Sequence, residues 1–331
     1  MTTHGLSCAQ EVPYAHRTMH IPDGFLDGRT MAATAVLSAG GLSLAVRQLR
    51  RQLPRRRVPL MGLAAAFVFA AQMLNFPIAG GTSGHLLGSV LIAVLLGPAA
   101  AVLVLAAVLI VQCLVFADGG LLALGANIFN MGIVGGVGGY AIYRCVQRLA
   151  GGQRGVIMGA AFAAWCSAAI AAVLVAGELA ISGTAQWAIV FPAMVNVHLL
   201  IGLGEAAITV LVIVAIQRTR PDLIDPSAPA SGALSHRQIM GYGLLITLGM
   251  ALFVSPFACH WPDGLERVAG AIGFAHRAAG SPAPMADYKL PWIKSAPLGT
   301  SLAGAAGTVL VFILAFVVAR VVTPGTTTDP R

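Results

Sequence analysis

Apolar residues in this chain run in long unbroken stretches separated by short polar interruptions, and it is run length rather than alternation that sets the elements. Stretches near 31–47, 59–76, 85–97, 98–116, 121–143, 156–177, 193–216, 241–257 and 299–322 are rich in Ala, Leu, Val and Gly. Such stretches predict helices that cross a bilayer, because in hydrocarbon each main-chain polar group must be satisfied within its own segment. The alternating strands of about ten residues that mark a membrane barrel are missing from the pattern. Residues 86–116 form a 31-residue run, about 46 Å of helix and too long for one crossing of a core roughly 30 Å thick. Gly97-Pro98 divides it into two helices, the first of them short. The pattern therefore predicts an all-α integral membrane protein, a polytopic bundle of about nine transmembrane helices.

Composition sharpens this picture. Of 331 residues, 57% are hydrophobic and only 10% charged, against about 25% charged in soluble domains, which excludes a water-soluble enzyme of this size. Residues 58–117 contain no Asp, Glu, Lys or Arg. The net charge of +8 comes almost wholly from arginines between the apolar runs. Nucleic-acid binding would instead gather Lys and Arg on one face with aromatics between them. With the chain's start outside, 14 of the 20 cations fall in cytoplasmic segments, including Arg47, Arg50, Arg51, Arg55, Arg56 and Arg57. The positive-inside rule thus predicts the start of the chain outside and its end inside, in a membrane expected to be the cytoplasmic (inner) membrane of a prokaryote.

A polar stretch with Pro and Ser at 218–240 reads as a cytoplasmic linker between a seven-helix unit, 19–217, and a two-helix unit, 241–331. The second unit carries a long outside loop, 258–298. Cys8, Cys113, Cys145, Cys166 and Cys259 form no C-x-x-C pair, so neither a disulfide framework nor a zinc knuckle is indicated. Residues 1–18 lack the apolar core of a signal peptide and read as a non-native or disordered extension, with Met19 as the true start.

That start has chemical consequences. A chain opening Met19-His20 offers an α-amine, the His20 amide nitrogen once deprotonated, and the His20 imidazole, which can close fused chelate rings in one plane. A planar nitrogen set suits Ni(II) or Cu(II), and can hold Co(II), better than the oxygen-seeking Mg or Ca. The competing reading is an interfacial histidine in the turn Ile21-Pro22-Asp23-Gly24. A fourth nitrogen is available from His85, which follows Pro77 and the glycine loop Gly80-Gly81-Thr82-Ser83-Gly84 on the same side of the membrane. Gln72, Asn75 and Ser83 are candidates to orient it.

These residues resemble a known family. Met19-His20-Ile21-Pro22-Asp23-Gly24-Phe25-Leu26, then Asn75-Phe76-Pro77 with Gly80 through Gly88, then Asp118-Gly119-Gly120-Leu121-Leu122-Ala123-Leu124-Gly125-Ala126-Asn127, and Asn130-Met131-Gly132 are similar to the cobalt and nickel substrate-binding components of energy-coupling-factor importers, the CbiM/NikM family. The resemblance covers about 19–217. It implies that the terminal amine, an amide nitrogen, and the two histidines are metal ligands, which transfers to Met19, His20 and His85. Chains of that family begin at the methionine, and a retained extension would turn the essential amine into an amide. Pro262-Asp263-Gly264-Leu265-Glu266 looks like the PDGLE signature of a small two-helix companion, here fused. It implies a role in metal loading through Asp263 and Glu266, with Cys259 and His260 nearby, beside a simpler loop-folding role.

No G-x-x-x-x-G-K-[ST] phosphate cradle exists in the chain. The resemblance accordingly implies separate partners, a transmembrane coupling subunit and cytoplasmic ATPases, with Co(II) or Ni(II) as transported substrate and no organic cofactor. Two other readings stand beside it. Gly81-Thr82-Ser83-Gly84 matches the G-x-S-G of rhomboid intramembrane proteases, with His198 as base to Ser83. His198 and Glu205, two turns apart on one helix face, would suit a proton-coupled secondary metal transporter.

Overall fold

The computed structural model describes residues 19–224 and 235–323; the extension 1–18 and the centre of the linker lie outside them. All nine predicted stretches are helical over most of their length. In chain order the helices are α1 (Gly28–Gln52), α2 (Val58–Gln72), α3 (Ser89–Leu96) and α4 (Pro98–Phe116). Next comes α5 (Leu124–Asn127), which runs on through a π-helical stretch, Ile128–Gly138, into α6 (Gly139–Ala150). They are followed by α7 (Gly152–Ile181) and α8 (Trp187–Thr219). The C-terminal part holds α9 (His236–Gly249), prolonged by a π turn at Met250–Val254, then the short α10 (Gly264–Ile272) and α11 (Ala296–Val322). Among the described residues six helices are long and apolar enough to cross a membrane, and the protein is a multi-pass membrane protein.

The deviations from run length have local causes. α2 stops at Gln72 because Phe76–Ile78 (β1) and Thr82–Gly84 (β2) form an antiparallel hairpin, Phe76 facing Gly84, turned by Gly80 and Gly81 at positive φ. The third segment becomes helical only at Ser89, because Gly88 takes a left-handed conformation (φ 75°) as its N-cap. It then ends after eight residues at Gly97, and Pro98 opens α4. The π stretch lies where glycines bring main chains together. A Cβ on Gly135 would sit 2.8 Å from Ser89 Oγ, and one on Gly136 3.2 Å from Ala101 Cβ.

α4 is the centre of the bundle, buried along almost its whole length, with α1, α2, α3 and the π stretch around it. α7 and α8 pair along their lengths as an outer layer. α11 lies on α2 and α4, so the C-terminal part packs into the first part's core rather than beside it. Close approach again depends on small residues: a Cβ on Gly307 would drive into the rings of Phe69 and Phe116. Gly307→Leu is expected to overpack this seam and cost about 1–3 kcal/mol, read as a lower midpoint in thermal unfolding of the detergent-solubilised chain.

Candidate metal centre

The segment from Met19 to Asp27 is irregular yet tightly held. Asn127 grips Ile21 from both sides, its Oδ1 accepting from the Ile21 N–H (3.0 Å) and its Nδ2 donating to the Ile21 carbonyl (3.1 Å). That carbonyl also accepts from the Gly120 N–H at 2.9 Å. The Asp23 carboxylate accepts from three successive N–H groups, Leu121, Leu122 and Ala123, at 2.9–3.0 Å. Ile21, Phe25 and Leu26 bury their side chains, and Asp27 caps α1 by accepting from the Thr30 N–H. The partner loop must be glycine: Gly119 sits at φ 93° with a would-be Cβ 3.0 Å from His20 Cβ, and a Cβ on Gly120 would run into Asp23. The opening motif and the Asp118-to-Asn127 motif are thus two halves of one interlock.

His85 is placed by a carboxylate from another helix. Glu205 on α8, fully buried, accepts from the Leu87 N–H at 2.6 Å and the Gly88 N–H at 2.9 Å, satisfying the donors that precede α3. The His85 ring stands edge-on to the His20 ring, centroids 5.6 Å apart at 89°. Its Nδ1 lies 3.2 Å from the Leu86 carbonyl and its Nε2 3.2 Å from the Met19 carbonyl. Carbonyls only accept, so a neutral imidazole can satisfy one of these contacts and must turn a lone pair toward the other.

A directional chain of hydrogen bonds fixes the tautomer of His20. The Leu87 carbonyl can only accept, so Gln72 must present Nε2 to it (3.1 Å). This leaves Gln72 Oε1 to accept from Gln112 Nε2 (2.9 Å), and Gln112 Oε1 then faces His20 Nε2 at 3.0 Å. His20 therefore carries its proton on Nε2 and a lone pair on Nδ1. Both glutamines are fully buried. Burial lowers the His20 pKa and so favours the neutral ring, against an opposing upward pull from the Asp118 carboxylate. The Met19 nitrogen donates to Asp118 Oδ1 at 2.7 Å. Among the described residues the His20 N–H has no acceptor.

The C-terminal part forms the roof. Ser83 donates its N–H to the Pro262 carbonyl (2.9 Å) and its Oγ to the Trp261 carbonyl (2.8 Å), and the Cys259 N–H donates to the Asn75 carbonyl. Ala279 N–H donates to the Asp23 carbonyl, and a Cβ on Gly24 would meet the Arg277 carbonyl. Tyr288, stacked on Phe116 at 4.6 Å, donates its hydroxyl to Asp118 Oδ2 at 2.7 Å. Burial and the Asp118 charge push that phenol well above its ordinary pKa, so it remains the donor. Asp263 and Glu266 form a reciprocal capping box at the start of α10. Asp263 Oδ2 lies 3.9 Å from His85 Nε2, and burial pushes its carboxyl up to about 7.

A cavity of about 70 Å³ results, lined among others by Met19, His20, His85, His198 and Asp263. Met19, His20 and His85 come together here. Gln72 acts on His20 through Gln112 and not on His85; Asn75 and Ser83 hold the roof. His198 reaches the cavity wall with Nδ1 bonded to the Met194 carbonyl, while Glu205 turns to the α3 loop. No Ser83–His198 hydrogen bond forms among the described residues, because Ser83 Oγ is given to the roof. Also among the described residues, no three His, Cys, Asp or Glu side chains converge on one metal-sized point. Gln112, Asp118, Tyr288 and Asn127 bear on the site without having been singled out as site residues in the sequence.

Residues 20–223 match the family model described as cobalt uptake substrate-specific transmembrane region, and residues 237–324 match the PDGLE domain. The chain belongs to the cobalt uptake substrate-specific transmembrane family. The fused nickel transport protein NikMN of Rhodobacter capsulatus is 35% identical over 332 residues, covering 88% of this chain and 95% of that protein. The cobalt transport protein CbiM of Geobacter sulfurreducens is 31% identical over 277 residues, 78% of each chain. The crystal structure of a transition metal transporter superposes with a TM-score of 0.57 at 33% identity, over 64% of this chain and all of that one.

The role of Glu205 is open to test. Glu205→Ala leaves two buried N–H groups without acceptors and is expected to cost about 1–3 kcal/mol for the unsatisfied groups. Hydrogen exchange at Leu87 and Gly88 should rise well above that elsewhere in the bundle.

Proposed function

We propose that this chain captures Co(II) or Ni(II) on the outer face of the cytoplasmic membrane, as the substrate-specificity subunit of an ATP-driven energy-coupling-factor importer. The observation that carries the reading is the convergence of His20, His85 and the Met19–His20 main chain on one small cavity. The donors would be the Met19 amine, the His20 amide nitrogen, His20 Nδ1 and His85 Nε2. The hydrogen-bond chain through Gln112 leaves Nδ1 with its lone pair, and the Leu86 carbonyl gives Nδ1–H of His85 an acceptor when Nε2 turns to the ion. The acceptorless His20 N–H suits the same scheme, since its proton leaves on binding.

The family and the nickel and cobalt transport relatives support metal as cargo. Power would come from partners, a transmembrane coupling subunit and cytoplasmic ATPases, since the sequence holds no phosphate cradle. In this reading 19–217 is the binding unit, 241–331 its fused companion, and Met19 the first residue of the working protein, with 1–18 a non-native extension. Asp263 and Glu266 build α10 over the site, which favours a folding role over direct loading.

His20→Ala and His85→Ala are each expected to lower Ni(II) and Co(II) affinity by more than roughly 100-fold while the protein still elutes as a folded chain, His20→Ala melting lower because the buried Gln112 Oε1 loses its donor, at about 1–3 kcal/mol. Calorimetric titration reads this, and retained stoichiometric binding in either variant would sink the site. Chain forced to start a few residues before Met19 should lose binding in the same way, with native mass spectrometry reporting both first residue and bound ion. Gln112→Leu should weaken binding by about 10- to 100-fold and shift the visible absorption of the bound Ni(II), because His20 loses its fixed tautomer but keeps both nitrogens.

A further inference from the structure

On the arginine-rich face, opposite Met19, an apolar slot of about 390 Å³ separates the two parts of the chain. Leu63 and Phe67 of α2, Leu95 of α3, Ile216 of α8, and Tyr242 and Ile246 of α9 form its walls. The slot follows from the brevity of α3. That helix ends after eight residues at Gly97, about 12 Å of rise, so it cannot cross a bilayer core. α9 leans on α2, and its Tyr242, Leu245 and Ile246 remain 50%, 67% and 61% exposed.

A second cavity of about 490 Å³ shares Leu60, Arg220, Leu223 and Ile239 with the slot and adds Arg56 and Arg237. Three arginines from three separate elements therefore line one mouth. Arg220 is buried and paired with Asp222, Nε to Oδ1 and Nη2 to Oδ2 both at 2.7 Å. Arg56 and Arg237 have no ion-pair or hydrogen-bond partner among the described residues. A rule that places cations on one side of a membrane accounts for arginines in each loop, but not for their meeting at the open end of an apolar slot.

We propose that this slot and its mouth bind an anionic phospholipid, its acyl chain between α2, α3, α8 and α9 and its phosphate between Arg56 and Arg237. The lipid then bridges the two parts of the chain, since Arg56 precedes α2 and Arg237 belongs to α9. The two-ended shape selects this occupant. A free phosphate leaves the slot unfilled, a zwitterionic lipid brings a cation to a mouth with two guanidiniums that lack partners among the described residues, and an acidic protein segment has no use for the apolar walls. This inference is independent of the metal reading.

The test uses the full chain, delipidated in a mild detergent, with thermal unfolding followed against added lipid. Phosphatidylglycerol is expected to raise the midpoint by several degrees, and phosphatidylcholine of the same acyl chains or inorganic phosphate to move it little. The double variant Arg56→Ala/Arg237→Ala should melt as wild type without lipid, both side chains being exposed, and lose the phosphatidylglycerol response. Ala215→Phe, an exposed slot position, should require severalfold more lipid for the same shift. Equal stabilisation by phosphatidylcholine, full reproduction by phosphate, or an unchanged lipid response in either variant would overturn the proposal.

Discussion

The face that carries His20 and His85 depends on one constraint: non-helical main chain at the rim of an apolar bundle has few water partners, so its polar groups need partners from elsewhere in the protein. Residues 19–27, 84–88 and 118–123 are all of this kind. Their partners are side chains from distant segments: Asn127 for Ile21, Asp23 for the three N–H groups at 121–123, and Glu205 for Leu87 and Gly88. Asn127 and Glu205 are themselves buried polar groups, a cost recovered only when the geometry is satisfied in full. Rigidity of the site is therefore a consequence of its irregularity. Loops left half-satisfied here would be unstable, and loops fully satisfied hold the two imidazoles edge-on.

The fused C-terminal part takes its place within the same network. Tyr288 binds the oxygen of Asp118 that Met19 leaves free, and it does so from a ring stacked on Phe116, so an aromatic cluster in the core fixes a polar contact at the rim. Roof contacts at Ser83, Asn75 and Asp23 are mostly main-chain donors and acceptors, the kind that survive side-chain variation in the loop. Fusion removes the translational cost of bringing such a roof to the site, which a separate companion would meet at each encounter.

Much of this was legible in the sequence, for physical reasons that differ by residue. Run length located the long helices but not the short α10 inside the predicted outside loop, since hydrocarbon thickness is a ruler only for spans. His20 and His85 were legible as isolated polar residues beside glycine loops, where a side chain without a packing role needs another explanation. Gln72 reads from spacing as a partner of His85, yet it reaches His20 through Gln112 of α4, and one-dimensional spacing holds no such information. Gln112 stands in the middle of an apolar run and drew no attention; its meaning is the direction of its amide, set by a carbonyl on another segment. Glu205 was singled out as a proton carrier, yet its two acceptor oxygens are committed to Leu87 and Gly88. The π stretch was invisible because it depends on what faces its glycines.

Charge completes the argument for a main-chain donor. A divalent ion bound only by neutral imidazoles would bring two positive charges into a site where burial already drives His20 toward its neutral form, and such a charge is expensive in a low-dielectric enclosure. Deprotonation of one amide removes one of those charges within the ligand plane itself. The Asp118 carboxylate, 2.7 Å from the Met19 nitrogen, offsets the other at the distance of a hydrogen bond. On the proposed ligation the loaded site is close to neutral, which a small, largely apolar cavity can accommodate. Release then requires protons to return to the amide and the amine, so whatever reorients the protein need only admit water to the Met19–His20 main chain to loosen the ion's hold.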